Sequence, residues 1–197
     1  IDPRLGELDI LSLFRVAIHP TEPIIYGGSY WAGLLEYNLD QNEYQLFNKN
    51  NSTLRGSIGD PARERVSGLA FDNEENLWVT TYNAPEPLNV LNSEGTWSSF
   101  SVSSPGTLTD IVLDLQGFKW APVFGSSGGV LVYDSGESIQ NRADDRQRYI
   151  NRNNSEITGQ ANCILVDREG EVWVGTTEGP IIFDCGEDVV GWRFGIE

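Results

Sequence analysis

Histidine, cysteine and positive charge are all scarce in this chain. Its 197 residues include one histidine, His19, and two cysteines, Cys163 and Cys185. A Ser–His–Asp triad or a His-ligated metal centre needs partners that a single histidine cannot find. Lys+Arg number 13 against 29 Asp+Glu, a net charge of −16. Such a surface repels phosphate backbones, so nucleic acid is a poor partner. The acids are dispersed rather than run together, as on a solvated surface. No apolar run approaches the roughly 18 residues of a membrane helix, and no basic-then-apolar leader opens the chain. Amphipathic helices are missing too, since the one candidate, Ala62–Val66, is too short to stand alone.

What is present is a repeat. Leu69-Ala70-Phe71-Asp72 leads to Leu77-Trp78-Val79, and Ile111-Val112-Leu113-Asp114 leads to Phe118-Lys119-Trp120. Ile164-Leu165-Val166-Asp167 leads in the same way to Val172-Trp173, and in all three copies Asp precedes Trp by six positions. The first copy is degenerate: Val16-Ala17-Ile18-His19 is followed seven positions later by Tyr26. The markers 19, 72, 114 and 167 are separated by 53, 42 and 53 residues. A period of about 40–50 residues with several short strands per unit marks a β-propeller. The chain is therefore expected to be all-β, with about four blades of four antiparallel strands over 14–48, 66–101, 109–150 and 161–197. Rings of this kind close with about four to eight blades, usually six or more, so the four are expected to belong to a larger propeller.

The expected strands of the first blade are Phe14–Ile18, Ile24–Gly28, Leu34–Tyr37 and Tyr44–Phe47. Those of the second are Ser67–Phe71, Asn76–Thr80, Leu88–Leu91 and Trp97–Phe100. The third has Asp110–Leu113, Phe118–Pro122, Val130–Tyr133 and Arg148–Ile150; the last has Asn162–Val166, Glu171–Gly175, Ile181–Phe183 and Gly191–Phe194. Gly, Asn, Asp, Ser and Pro fill the gaps, as turns require.

Catalytic and metal sites find no support. Asp72, Asp114 and Asp167 end their strands, where a carboxylate bonds turn amides. Asp72–Asn76 is rich in oxygen ligands but lacks the alternation of a calcium loop. His19 reads as a turn residue, and no pair among the acids is singled out for glycosidase chemistry. Cys163 lies among apolar neighbours in a strand, as an inert core thiol would. Cys163 and Cys185 are expected to lie about 10 Å apart laterally, beyond the roughly 7 Å a disulfide tolerates, and so to stay free. No cofactor is implied. Binding has better support, because strand alternation puts the loops between second and third strands on the same side as the loops between blades. Tyr30, Trp31, Tyr82 and Phe124 fall there as candidate ligand-binding residues, with flat faces suited to sugars or a protein partner. The competing role for these aromatics is as wedges between blades. On the opposite side, Ser135–Arg146 is expected to be a solvated loop.

The chain resembles the two-component regulator propeller repeats of Bacteroidetes-type bacteria. The motifs that carry this are Val66-Ser-Gly-Leu-Ala-Phe-Asp-Asn-Glu-Glu-Asn-Leu-Trp78, Gly128-Gly-Val-Leu-Val-Tyr-Asp134 and Asp167-Arg-Glu-Gly-Glu-Val-Trp-Val-Gly-Thr-Thr-Glu-Gly179. Gly28-Ser-Tyr-Trp-Ala-Gly-Leu-Leu-Glu36 and Pro87-Leu-Asn-Val-Leu91 with Glu94-Gly-Thr-Trp97 add to it. Within these repeats, the order and unequal lengths of the blades are most similar to those of a surface component of the type IX secretion system. The resemblance implies a non-enzymatic protein of the cell surface or periplasm. Its implied partners are other secretion-system or surface proteins and lipopolysaccharide or another glycan. Proteins of that kind carry more than one propeller and a C-terminal sorting domain, whereas this chain holds about four blades and no sorting domain. The alternative implied by the same repeats is the oligosaccharide-sensing propeller of a hybrid two-component regulator.

Overall fold

A computed structural model of the chain describes residues 10–125, 128–154 and 157–184. Those residues form strands, turns and loops and no helix, so none among them is long and apolar enough to cross a membrane. The chain divides into two compact units, with the boundary near 102–109. The first holds two four-stranded antiparallel meanders: β1 (Leu13–Ile18), β2 (Ile24–Ser29), β3 (Gly33–Asn38) and β4 (Glu43–Phe47), then β5 (Val66–Phe71), β6 (Leu77–Thr81), β7 (Leu88–Leu91) and β8 (Trp97–Phe100). The second unit holds β9 (Val112–Leu113), β10 (Lys119–Val123), β11 (Gly129–Asp134) and β12 (Arg146–Ile150), and then β13 (Ala161–Val166), β14 (Val172–Thr176) and β15 (Gly179–Phe183). Each sheet is ordered as it runs in sequence, which is the blade unit of a β-propeller. The expected strand Gly191–Phe194 lies outside the described residues.

The Asp–Trp spacing is a latch. In blade 2 the indole N–H of Trp78 donates to Asp72 Oδ2 at 2.8 Å, while Asp72 Oδ1 accepts from the amides of Glu74 and Asn76, each at 2.9 Å. Blade 3 repeats this: Trp120 donates to Asp114 Oδ2 at 2.8 Å, and Asp114 Oδ1 takes the amides of Gln116 and Phe118 at 3.0 and 2.9 Å. Blade 4 does the same with Trp173 on Asp167 at 2.8 Å and the amides of Glu169 and Glu171 at 3.0 and 2.9 Å. One carboxylate therefore closes the turn with one oxygen and anchors the next strand with the other. Desolvation alone would raise the Asp167 carboxyl, but donors from Trp173 and the amides of Glu171, Glu169 and Gly170 outweigh it and hold the group below its ordinary value. Blade 1 replaces the latch. His19 Nδ1 accepts from the amides of Thr21 and Glu22 at 3.3 and 3.1 Å, and the Tyr26 hydroxyl donates to Glu36 Oε2 on β3 at 2.8 Å. The single histidine is thus a turn cap. Burial first, and Glu36 second, push the Tyr26 phenol far above its usual value.

In unit 1 the core joins Tyr26, Leu34, Phe47 and Leu54 of the first blade and its linker to Val66, Leu77, Val79 and Leu91 of the second. In unit 2 it joins Trp120, Val130, Val132 and Ile150 of blade 3 to Ile164, Val172 and Val174 of blade 4, with Ile157 from the linker. Two expectations need correction. The strand at Asp110–Leu113 shrinks to Val112–Leu113, because Pro122 turns its carbonyl toward that strand, where it accepts from Thr109 at 3.1 Å, and its ring nitrogen offers no matching donor. Cys163 is exposed rather than a core thiol. A bulge between Ala161 and Cys163 breaks the alternation, so Asn162 and Cys163 both face outward before Ile164 returns to the core. Cys185 lies outside the described residues.

Replacing Asp114 with Ala strands a fully buried indole N–H and two turn amides, and is expected to cost about 2–4 kcal/mol. A urea unfolding curve will show this as a lower midpoint at unchanged slope. A second test uses the turn itself. Glu75 has φ 63° at the position where the sister turns carry Gly117 (φ 84°) and Gly170 (φ 89°). An L side chain there is strained by about 1–2 kcal/mol, partly offset by the entropy glycine loses. Glu75→Gly is therefore expected to raise the same urea midpoint, by about 0.5 kcal/mol of stability.

Candidate functional site: an aromatic and arginine face on unit 1

Three of the four candidate aromatics come together. Tyr30 and Trp31 ride the β2–β3 turn, which is built by Ser29. The fully buried Ser29 hydroxyl accepts from the amides of Trp31 and Ala32, both at 3.0 Å, and donates to the Leu11 carbonyl at 2.6 Å. Gly33 closes the turn at φ 89°, and a Cβ there would stand 2.2 Å from the Phe47 carbonyl oxygen, so no other residue fits. Tyr82 follows β6, its amide held by the Arg65 carbonyl at 2.8 Å and its own carbonyl by the Ser57 hydroxyl at 2.8 Å. The Tyr30 and Tyr82 rings lie 6.0 Å apart, and Phe14 of β1 lies 5.7 Å from Tyr30. Tyr30 and Tyr82 are half-buried, so they wedge between the two blades as well as edge the surface, whereas Trp31 is 40% exposed. Phe124 lies in the other unit, just beyond β10 and 50% exposed, on a loop that Gln160 ties to Val123 and Gly125.

The arginines were not legible as site residues. The segment considered as a helix at Ala62–Val66 leaves a turn at Ala62 and enters β5 at Val66, and its Glu64 bridges to Ala32 in parallel while its carbonyl accepts from the Gly33 amide at 3.0 Å. This pairing lays Arg63 flat on Trp31, with the guanidinium 3.5 Å from the ring centre, and brings Arg65 to 5.2 Å over Tyr30. Arg15 lies 4.4 Å over Phe14. Asp60 Oδ2 accepts from both loop arginines, at 3.1 Å from Arg63 and 2.8 Å from Arg65. The spacing Asp60, Arg63, Arg65 within an interblade linker was the available signal. In a chain of net charge −16 this is a local concentration of guanidinium groups on aromatic rings. Its chemistry is flat apolar surface beside forked donors, which suits sugar rings, carboxylates and other oxyanions.

Other polar groups are engaged elsewhere. Asp72, the best oxygen ligand in the acidic turn of blade 2, has both carboxylate oxygens taken by amide, carboxamide and indole donors. The Ser135–Arg146 loop is largely exposed, as expected, and is held at its ends: Tyr133 donates to Asp145, and Arg146 pairs with Asp134 at 2.8 Å.

The sheets define propeller blades, and comparison with known proteins narrows the kind. Residues 155–178, which take in β13 and β14 and stop just before β15, match the family Two component regulator propeller. No curated protein matches the chain in sequence. Among solved structures the chain is similar to PorZ, described as an essential bacterial surface component of the type IX secretion system of Porphyromonas gingivalis, with 24% identity and a TM-score of 0.74. That likeness covers 86% of this chain and 24% of PorZ. The extracellular domain of a protein described as a hybrid two-component system, BT3049 of B. thetaiotaomicron, is similar at 17% identity and TM-score 0.63, over 87% of this chain and 22% of that one. Virginiamycin B lyase of Staphylococcus aureus follows at 12% identity and TM-score 0.60, over 90% of this chain and 59% of the lyase. At these identities the likeness establishes the fold. The chain thus resembles two-component regulator propeller repeats and the propeller of PorZ, and spans about a quarter of PorZ's length.

The stack on Trp31 makes a local prediction. Arg63→Ala is expected to uncover the indole and shift its emission to the red, read as the difference from a Trp31→Phe control. The cost in stability is expected to stay under about 1 kcal/mol, since the pair is part-exposed.

Proposed function

We propose that this chain is a non-enzymatic binding and scaffold segment of a PorZ-like surface protein of the type IX secretion system. It would grip partner proteins or surface lipopolysaccharide through the aromatic and arginine face of unit 1, with Tyr30, Trp31 and Tyr82 as contact residues. Phe124 is proposed as a further contact from unit 2. The carrying observation is the half-exposed Trp31 stacked by Arg63, beside Tyr30 and Arg65. One face of the indole is taken by the guanidinium, so a ligand would meet the ring's remaining surface and the outer donors of the arginines together. The side chains that could do chemistry are committed to structure. His19 caps a turn, and the latch carboxylates are committed to amide and indole donors. The proposed location is the outer cell surface.

A second reading is the periplasmic sensor propeller of a hybrid two-component regulator that binds oligosaccharides. It is favoured by the family matched at 155–178 and by the similarity to BT3049. Surface proteolysis of intact cells separates the two, since a surface protein is cleaved and a periplasmic sensor is protected.

The direct test is binding, at fixed salt, to a panel of surface polysaccharides that includes anionic lipopolysaccharide and neutral oligosaccharides. Trp31→Ala and Arg63→Ala are expected to weaken binding about tenfold or more while the chain stays folded under the binding conditions. A well-folded chain that binds no member of the panel would contradict the glycan part of the proposal.

A further inference from the structure

Positive charge in unit 1 is gathered on one segment. Its described residues, 10–102 and 106–108, hold five cations, and four of them lie on the linker 48–65 between β4 and β5: Lys49, Arg55, Arg63 and Arg65. Of the eleven acids in the same residues, only Asp60 and Glu64 lie there. The linker therefore carries a net charge of +2, against −8 for the rest of the unit. Glu64, its side chain 6% exposed, is matched by the Lys49 ammonium at 3.8 Å. Asp60 is shared by Arg63 and Arg65, which leaves one positive charge over. The second surplus charge is Arg55, which is exposed and donates through Nη1 to the carbonyls of Ser52 and Leu54 rather than to an acid.

The middle of this linker is an apolar tip on a fixed base. Ile58, Gly59, Pro61 and Ala62 are all exposed, Ile58 by 63%. Both blades that flank the linker are described, and neither covers Ile58. The backbone beneath the tip is tied on two sides. The Ile58 amide donates to the Asn83 carbonyl at 2.7 Å, and Asn83 Nδ2 returns a bond to the Ile58 carbonyl at 3.1 Å. The Ser57 amide donates to the Arg63 carbonyl at 3.0 Å, and Lys49 Nζ donates to the Pro61 carbonyl at 3.2 Å. A Cβ on Gly56 would stand 2.4 Å from that same Pro61 oxygen, so the loop closes tightly at its base. The tip is thus ordered before any partner arrives, which spares binding that entropy.

We propose that the linker 48–65 is a docking surface for an acidic protein segment that carries an apolar side chain among its carboxylates. This rests on the reading of unit 1's loop face as a binding face, and it names the kind of partner. The partner's carboxylates meet Arg55 and the Arg63–Arg65 pair, and its apolar side chain packs on Ile58 and Pro61. Charge complementarity selects the partner's sign, because a positive strip on an otherwise negative unit attracts an acidic segment here and repels it elsewhere. Ile58 selects protein over glycan. Its aliphatic side chain gives a sugar neither an aromatic face nor a hydrogen-bond partner, whereas it gives an apolar side chain a surface to desolvate.

The test is binding of the full chain, at fixed salt, to a random glutamate–tyrosine copolymer, to polyglutamate and to polygalacturonate. Ile58→Asp and Arg55→Glu alter the linker at exposed positions. Leu39→Asp is the control: it adds the same charge at an exposed site on the β3–β4 turn, at the other end of the sheet from the β2–β3 turn. Circular dichroism checks that each variant is folded. The expected result is that the copolymer binds more tightly than polyglutamate, and that Ile58→Asp and Arg55→Glu each weaken it about tenfold or more while Leu39→Asp does not. Equal loss in Ile58→Asp and Leu39→Asp would overturn the proposal, since net charge alone would then explain binding. Polygalacturonate bound as tightly as the copolymer, and as sensitive to Ile58→Asp, would overturn it in favour of an acidic glycan. An oligomer of the chain that Ile58→Asp dissociates would overturn it in favour of a second copy. If the copolymer fails to bind while the polysaccharide panel binds, this proposal falls and the broader binding reading stands; if neither binds, both fall.

Discussion

Everything in these blades depends on one carboxylate bonded in two directions. A short strand that ends in a polar turn has several amides to satisfy, and the turn must also present the next strand at the correct register. Asp72, Asp114 and Asp167 do both at once, with turn amides on one oxygen and an indole on the other. In blade 3 the indole held in this way packs on the neighbouring blade, with the Trp120 ring 5.3 Å from Phe183. The latch couples local turn chemistry to the stacking of sheets. The departure at His19 and Tyr26 shows the constraint from the other side. When the carboxylate is lost, the turn is capped by an imidazole nitrogen and the aromatic hydroxyl finds Glu36.

The same architecture explains where a binding face can be built. Strands already satisfy their own backbone, so variation collects in the loops at blade ends. In unit 1 the β2–β3 turn and the linker before β5 are joined by backbone pairing between Ala32 and Glu64. That pairing places arginines on aromatic rings without needing ion pairs of much strength. Asp60 shares one oxygen between Arg63 and Arg65, which orders both side chains. Against a strongly acidic chain, such a face is electrostatically distinct from its surroundings.

Much of this was legible in the sequence, for identifiable reasons. Leu88–Leu91 and Trp97–Phe100 have the expected ends because Pro and Gly turns bound them. The grouping of Tyr30, Trp31 and Tyr82 follows from strand alternation alone, since that rule decides which loops share an end. The bulge at Ala161–Cys163 did not show, because apolar neighbours look alike whether or not an extra residue slips the register. Pro122 was visible, but the side of the strand that its nitrogen faces is set by tertiary pairing. The arginines were missed for a similar reason. Asp60, Arg63 and Arg65 acquire their meaning only when Glu64 pairs with a turn more than thirty residues away.

The central claim is a division of labour among the tryptophans: latch indoles build the scaffold, and Trp31 is the proposed ligand contact. It is tested most directly by following the indole N–H signals in a nitrogen-15 correlation spectrum while a surface polysaccharide is titrated in. The account predicts that the signals of Trp78, Trp120 and Trp173 exchange slowly with solvent and stay in place while that of Trp31 moves. Movement of the latch signals with Trp31 unchanged would contradict it.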